Sequence, residues 1–527
     1  LQFSAKLCKA SDDKVYGLSP SQATAGIIKS DFNDPQLPSQ WNYINNADLA
    51  IATTARRGAD VDVVDAWKLT GGDPRVIVAV LDEGVKYTHP DLAANMWVNE
   101  GEVDGDGIDN DGDGYVDDIH GYNFVDDGPI TWNVTKVISG VPRSDSGHGT
   151  HVAGTVAAVN NNGIGVAGIA GGTGKGDGVR IMSCQIFSGT ESTNDYSTAQ
   201  AVKYATDHGA SILQCSYGYA QSNFTSDAAF EEESPLLCEA LNYFFSKKNC
   251  DAIDGGIAVY AAGNNGANSS NYPGGYRECI SVTAISPDYL PTYYTCYGAG
   301  CNIAAPGGET IGFVGGERAG ILSTVCSETS KGEDYGYMQG TSMACPHVSG
   351  VAALGLSYAL AKGKHFTREE FMSMLLTSVN DIDSRLEGIK NTGKKIDLED
   401  YAGQMGTGLI DAYKLLIQVE GTPCVTVTAG KEVRIILTSI FGGSAKNLTY
   451  TKVSMSADDM KKLGIGKMPE MINGQLVFTC LNPGTARISI KAIAGGTSAG
   501  SSAATGGKEI TNEFSIVSRE SANSRWL

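Results

Sequence analysis

At 527 residues the chain is too long for one ordinary domain and long enough for two or three. A net charge of -20 argues against nucleic acid as a partner, because phosphate binding needs a basic surface; the same charge suits solubility and, where acids cluster, bound cations. The 12 cysteines are too sparse for a disulfide framework and show no C-x-x-C or zinc spacing, and no apolar run reads as long enough to span a bilayer.

Residues 1–35 are polar and irregular and read as an N-terminal extension or propeptide remnant. They lack the apolar core of a signal peptide, so an exported protein is expected to have lost its signal already. From Val76 the pattern is strand, loop, helix, repeated. "RVIVAVLD" is a continuous apolar run, as a buried parallel strand should be. "THVAGTVAAV" predicts a helix, "VRIMSCQIF" a strand, "STAQAVKYATDHG" a helix with a glycine stop, and "SILQCSYG" a strand. "GIAVYAAGN", "CISVTAI" and "CNIAAPG" continue the series. The alternation predicts a doubly wound, mainly parallel α/β sheet over residues 36–420, with ligands at the carboxyl ends of its strands. Over 421–527 the pattern changes to period-two strands between Gly, Asn and Pro turns, which predicts an antiparallel, immunoglobulin-like β-sandwich. Within it "GGTSAGSSAATGG" reads as a low-complexity loop. Cys296 with Cys301, Cys238 with Cys250, and Cys424 with Cys480 are candidate disulfides; Cys184, Cys215 and Cys345 read as buried thiols.

Three stretches carry chemistry. "VIVAVLDEGV" places Asp82 at a strand end, "SGHGTHVAGT" places His148 before a helix, and "GTSMACPHVSG" places Ser342 at another helix start. Alone, Ser342 reads as a helix cap more often than as a nucleophile. Together the three types are what acyl transfer needs. A serine hydroxyl is a weak nucleophile until a base takes its proton, histidine titrates near neutral pH, and a carboxylate fixes the imidazole tautomer.

In the order Asp, His, Ser, these stretches resemble the subtilisin-like serine proteases, the subtilase family, of bacterial and exported type. The resemblance covers roughly residues 36–418 and includes "THPDL", "NNGIGVAGIA", "AAPGG" and "GTGLIDAYKLL". It implies a serine endopeptidase with Ser342 as nucleophile, His148 as general base and acid, and Asp82 as its orienter. It also implies that Asn264, in "VYAAGNNG", donates its amide to the oxyanion beside the Ser342 backbone N–H. Ser216, Tyr217 and Gly218 would form one wall of the pocket for the side chain before the scissile bond, and Ala261, Ala262 and Gly263 the other. These small residues suggest room for a sizeable apolar side chain. Glu83 stands where the family commonly has Ser or Thr. On a regular strand it would point away from Asp82; alternatively its charge would raise the His148 pKa.

"VDGDGIDNDGDGYVDD" contains, from Asp109 to Gly114, the D-x-D-x-D-G opening of a calcium loop. Asp109, Asp111 and Asp113 are candidate ligands, with the Tyr115 carbonyl and Asp117 or Asp118 to close the shell. His120 replaces the closing Glu of a full EF-hand; a solvated acidic loop is the alternative. His151 reads as structural. The expected protein is a monomer that is secreted, periplasmic or cell-surface, acts on polypeptides, and carries a β-domain with its own unidentified partner. The alternative is a catalytically silent, calcium-stabilised surface-binding or adhesive protein.

Overall fold

The computed structural model describes residues 30–189, 191–219, 224, 226–421, 424–437, 448–494 and 508–519. Chain contacts divide it into a larger unit, Ile28–Gly421, and a smaller one built from Thr422–Asn523.

One mainly parallel sheet organises the larger unit. Its strands are β1 (Ile77–Glu83), β2 (Gly121–Asn123), β3 (Arg180–Ser188), β4 (Ile212–Cys215), β5 (Ile257–Ala261), β6 (Ile280–Ile285), β7 (Ile303–Pro306), β8 (Val379–Asn380) and β9 (Leu409–Ile410). Their spatial order is β8-β9-β7-β6-β5-β4-β1-β3-β2. β1 pairs parallel with both neighbours, Val78 lying opposite Ile181 of β3 and Ile212 of β4. β8 runs antiparallel to β9.

Five helices cover the sheet: α1 (His148–Ala157), α2 (Asp195–Asp207), α3 (Pro235–Ser246), α4 (Thr341–Ala361) and α5 (Ala412–Glu420). The period of two along β1 explains why both faces need covering. Val78 and Val80 enter one core, which α1, α4 and α5 close; Ala79 and Leu81 enter the other, which α2 and α3 close. α4 is apolar all round and is therefore buried all round. Its 21 residues are long and apolar enough to cross a membrane by length and composition, which the sequence reading did not find. The structure instead makes it a core helix, 94% of its apolar window being buried. Glycines allow that packing: a Cβ on Gly350 would stand 2.8 Å from Ile169 Cβ, and one on Gly355 2.7 Å from Leu415 Cδ2.

The described end of the N-terminal extension belongs to the larger unit. Phe32 stacks on Trp67 with ring centroids 4.7 Å apart, and the Asp34 carboxylate accepts the Asn161 N–H at 2.9 Å. The rest of the extension, residues 1–29, lies outside the described residues.

The smaller unit has a four-stranded and a three-stranded sheet. Residues of both, including Val427, Ile435, Phe478, Ile488 and Phe514, share one apolar cluster. The expected strands are present, but the set is not wholly antiparallel. Cys424–Thr428 pairs parallel with Lys508–Arg519, Val425 opposite Ile516. Only hairpin-linked neighbours must run antiparallel, and these two strands are the first and last of the unit. A helix at Ala457–Leu463 was also not expected. Ser456 caps it by accepting the Asp459 N–H, and Gly464 ends it in the left-handed region at φ 65°. The low-complexity loop at 495–507 lies outside the described residues.

Cys238, Cys250, Cys296, Cys301 and Cys480 are not in disulfides, so the pairings expected of them are not formed. Cys238 faces the Phe230 carbonyl at 3.8 Å, and Cys296 faces Asn265 Oδ1 at 2.8 Å. Cys184, Cys215 and Cys345 are buried thiols, as expected.

Candidate active site

Adjacent parallel strands deliver side chains to one edge of the sheet. Val80 of β1 lies opposite Gln214 of β4, and two residues beyond these lie Asp82 and Ser216. On the next strand, β5, the chain continues three residues past Ala261 to Asn264.

Asp82 is 2% exposed. Its Oδ1 accepts the His148 Nδ1–H at 2.7 Å and the Glu83 N–H at 2.7 Å. A carboxylate can only accept, so this bond fixes the imidazole tautomer with Nε2 free to take a proton. His148 opens α1, with Gly147 at the N-cap at φ 79°. The next residue must also be glycine: a Cβ on Gly149 would fall 2.0 Å from the Glu83 carbonyl oxygen. Burial pulls the His148 pKa down, but the Asp82 charge, the hydrogen bond to it and the Glu83 charge outweigh burial and hold it at about 8.

Ser342 lies in the first turn of α4. Its Oγ donates to the Ser216 carbonyl at 3.2 Å, and Ser216 Oγ donates to the Ser342 carbonyl at 2.7 Å. Ser342 and Ser216 are thus locked together one strand away from Asp82. Asn264 Oδ1 accepts the Thr341 N–H at 2.8 Å and the Thr341 hydroxyl at 2.9 Å. That double bond points the Asn264 amide nitrogen away from Thr341. A Cβ placed on Gly340 would sit 3.5 Å from Asn264 Nδ2 and 3.5 Å from Ser342 N. The two nitrogens therefore lie close to the same point beside Gly340.

The residues expected as pocket walls converge on a side chain that the sequence reading did not single out. A Cβ on Gly218 would stand 3.1 Å from Asn271 Cβ, and one on Gly263 2.7 Å from Asn271 Nδ2. Asn271 is anchored by its own N–H, which donates to the Ala262 carbonyl at 2.8 Å. Tyr217 packs its ring against Phe187 and Tyr260, at centroid distances of 5.9 and 5.5 Å. His151 is buried, bonds the Ile321 carbonyl at 2.9 Å, and is pulled down to about 3 by burial.

The acidic loop is folded on its own backbone. Asp109 accepts the N–H groups of Gly112 and Gly114 at 2.6 and 2.9 Å, and Asp113 accepts that of Tyr115 at 2.9 Å. Carboxylate oxygens of Glu102, Asp109 and Asp111 lie within 4.8 Å of one another, as do ligand atoms of Asp111, Asp113 and His208. Asp118 is fully buried instead, with its oxygens on Asn99 Nδ2 at 2.8 Å and the Tyr204 hydroxyl at 2.5 Å. Asp117 accepts the Gly107 N–H at 3.2 Å. Glu102 and His208 were missed by sequence reasoning. Glu102 stands just before the loop, where an acid is a usable signal; His208 comes from the end of α2 and leaves none.

A model of the subtilase family matches residues 73–400. Halolysin of Haloferax mediterranei is 33% identical over 56% of this chain and 44% of its own length. The extracellular basic protease of Dichelobacter nodosus is 29% identical over 67% of this chain and 53% of its own length. The chain thus spans about half the length of these curated relatives. Among solved structures, a protease from Pseudoalteromonas arctica is 26% identical, with a TM-score of 0.52, over 74% of this chain and 100% of its own.

Proposed function

The chain belongs to the subtilase family, and from that premise we propose that it is a serine endopeptidase working through an acyl-enzyme on Ser342. The observation that carries this reading is the 2.7 Å bond between Asp82 and His148 at the sheet edge that also carries Ser342 and Asn264, whose N and Nδ2 atoms both lie beside Gly340. Ser342 Oγ attacks the scissile carbonyl carbon as its proton passes to His148 Nε2. The carbonyl oxygen becomes an oxyanion that accepts from Ser342 N–H and Asn264 Nδ2–H. The imidazolium, steadied by Asp82, then gives its proton to the leaving amine as the C–N bond breaks. Water attacks the acyl-enzyme with His148 again as base, releasing the acid and restoring Ser342. Ser216, Tyr217 and Gly218 on one side, and Ala261, Ala262 and Gly263 on the other, would seat the preceding side chain, with Asn271 between them. The silent, adhesive alternative draws no support from the family. A fluorophosphonate probe should label Ser342 in folded protein, and the Ser342→Ala variant should neither be labelled nor digest casein. Equal casein digestion by both proteins would end this reading.

The acidic loop suits a hard cation. Three carboxylates within 4.8 Å repel one another unless one neutralises them. We assign calcium here, held by Asp109 and Asp111 with Glu102, with Asp113 and the Tyr115 carbonyl as further oxygen donors. Asp117 and Asp118, engaged elsewhere, contribute by bracing the loop. The ion's part is to tie the loop to the domain. EDTA should lower the thermal midpoint, since an ion at a hundred times its Kd stabilises by about 2.7 kcal/mol. An unmoved midpoint, with no Ca²⁺ by elemental analysis, would remove the assignment. The name of the Dichelobacter relative supports an extracellular location. The two sheets around one apolar cluster support an immunoglobulin-like sandwich for the C-terminal unit.

A further inference from the structure

Resting on the peptidase reading above, we propose that Glu83 is a positioning residue of the site: its carboxylate pins the first turn of α1, and with it His148, and sets a second negative charge behind the imidazole. The carboxylate is buried, and its oxygens accept the Ser146 N–H at 3.0 and 3.1 Å, the Ser146 hydroxyl at 3.1 Å and the His148 N–H at 2.9 Å. A helix begins with unpaired N–H groups and favours an anion there. α1 has glycine at its N-cap and no side-chain cap of its own; Glu83 supplies the acceptor from the strand.

Consecutive residues of a regular strand face opposite ways. Here the β1–β3 register shifts between Asp82, opposite Gln185, and Glu83, opposite Phe187. That irregularity lets both side chains reach His148, Asp82 its ring and Glu83 its backbone. The division matters because Asp82 holds the ring through one oxygen; its Oδ2 is buried with no hydrogen-bond partner among the described residues. Where the ring stands then depends on where the first turn of α1 stands. Gly149 against the Glu83 carbonyl leaves that turn no slack.

Other groups around His148 are already balanced. Lys86 Nζ pairs with Glu328 at 2.8 Å and Ser327 at 3.0 Å. His151, further along α1, is pulled down by burial and stays neutral. The thiols of Cys326, beside Gly147, and Cys345, on α4, are pushed up by burial to about 11 and about 12. Asp82 and Glu83 remain as the charges that make the imidazole more basic.

The test is the pH dependence of fluorophosphonate labelling at Ser342, alongside kcat/KM on a peptide. His148 must be neutral to take the serine proton, so the rate falls as pH drops through its pKa. Glu83→Gln keeps an acceptor oxygen and loses the charge; its acid limb should move down by about one pH unit. Glu83→Ala loses the acceptor as well, and its plateau rate should fall at least about tenfold with KM little changed. An NMR titration of the His148 ring in Ser342→Ala protein should show the same downward shift for Glu83→Gln, independently of turnover. Should the Ala variant fail to fold, the Gln variant decides. A limb and a ring pKa both within about 0.2 pH unit of the parent overturn the proposal for Glu83 while leaving the peptidase reading intact. A parent protein unlabelled at Ser342 at every pH overturns both.

Discussion

Asp82→Asn should lower kcat about 10⁴-fold while leaving KM and the thermal midpoint nearly unchanged. The two side chains have the same shape, and the position is closed to solvent, Asp82 being 2% exposed. What changes is which atoms carry protons. Asp82 Oδ1 takes the His148 Nδ1–H at 2.7 Å and the Glu83 N–H at 2.7 Å. An amide in that place can keep its oxygen on the backbone N–H only by turning its NH₂ away, or turn the NH₂ onto Nδ1 and move the ring proton to Nε2. In the second arrangement Nε2 can no longer take the Ser342 proton, and in both the imidazolium formed during attack loses its nearest counter-charge. Glu83 does not substitute, because its oxygens are spent on Ser146 and the His148 backbone. Steady-state kinetics on a chromogenic peptide check this. A loss below tenfold would mean that Asp82 is a structural strand-end carboxylate and that the proton leaves Ser342 by another route.

What the sequence made legible follows from distance along the chain. Asp82, His148 and Ser342 each end a strand or start a helix whose apolar pattern is local, so each could be placed without the others. Asn264 could be placed for the same reason, at the end of the apolar run of β5, while its role came only from the family resemblance. Asn271 was not, because it gains meaning only when Gly218 and Gly263 fold against it. His208 meets Asp113 at 2.9 Å from the far end of α2, and no spacing rule within the acidic loop points there. Glu83 was visible as an unusual residue, yet its reach to the His148 N–H depends on a register irregularity that no composition announces. The helix at Ala457–Leu463 was missed: Ser456 with an acid three residues on is a helix-start signal, but the strand pattern on both sides concealed it. The parallel pairing of Cys424–Thr428 was not legible, since strand direction between the ends of a unit is set by the whole topology.

The second large effect is expected far from the chemistry, at Lys390. This lysine is 5% exposed in a short hairpin in which Lys390 pairs with Ile396. Its ammonium bonds Glu309 Oε2 at 2.8 Å, Ser286 Oγ at 2.6 Å and the Pro291 carbonyl at 2.8 Å, with Asp288 Oδ1 at 3.7 Å. Glu309 is fully buried, and its other oxygen accepts the Thr392 hydroxyl from the same hairpin. One cation therefore neutralises two buried carboxylates and ties residues 389–397 to the segments after β6 and β7. Lys390→Met removes the cation and leaves both acids behind; breaking a buried pair in this way costs roughly 3–5 kcal/mol. The measurement is equilibrium denaturant unfolding in a Ser342→Ala background, where self-digestion cannot distort the transition. Lys390→Met with Glu309→Gln should recover a large part of the loss, because the buried charge goes with its partner. The hydroxyl of Thr392 still finds an acceptor in the glutamine carbonyl, so the double variant keeps the hairpin's second tie. A single variant within about 1 kcal/mol of its parent would mean that water reaches the cluster and screens it as it does a surface pair. The hairpin would then be held by its apolar contacts, Ile396 and Leu398 in the cluster with Tyr289 and Leu409, rather than by charge.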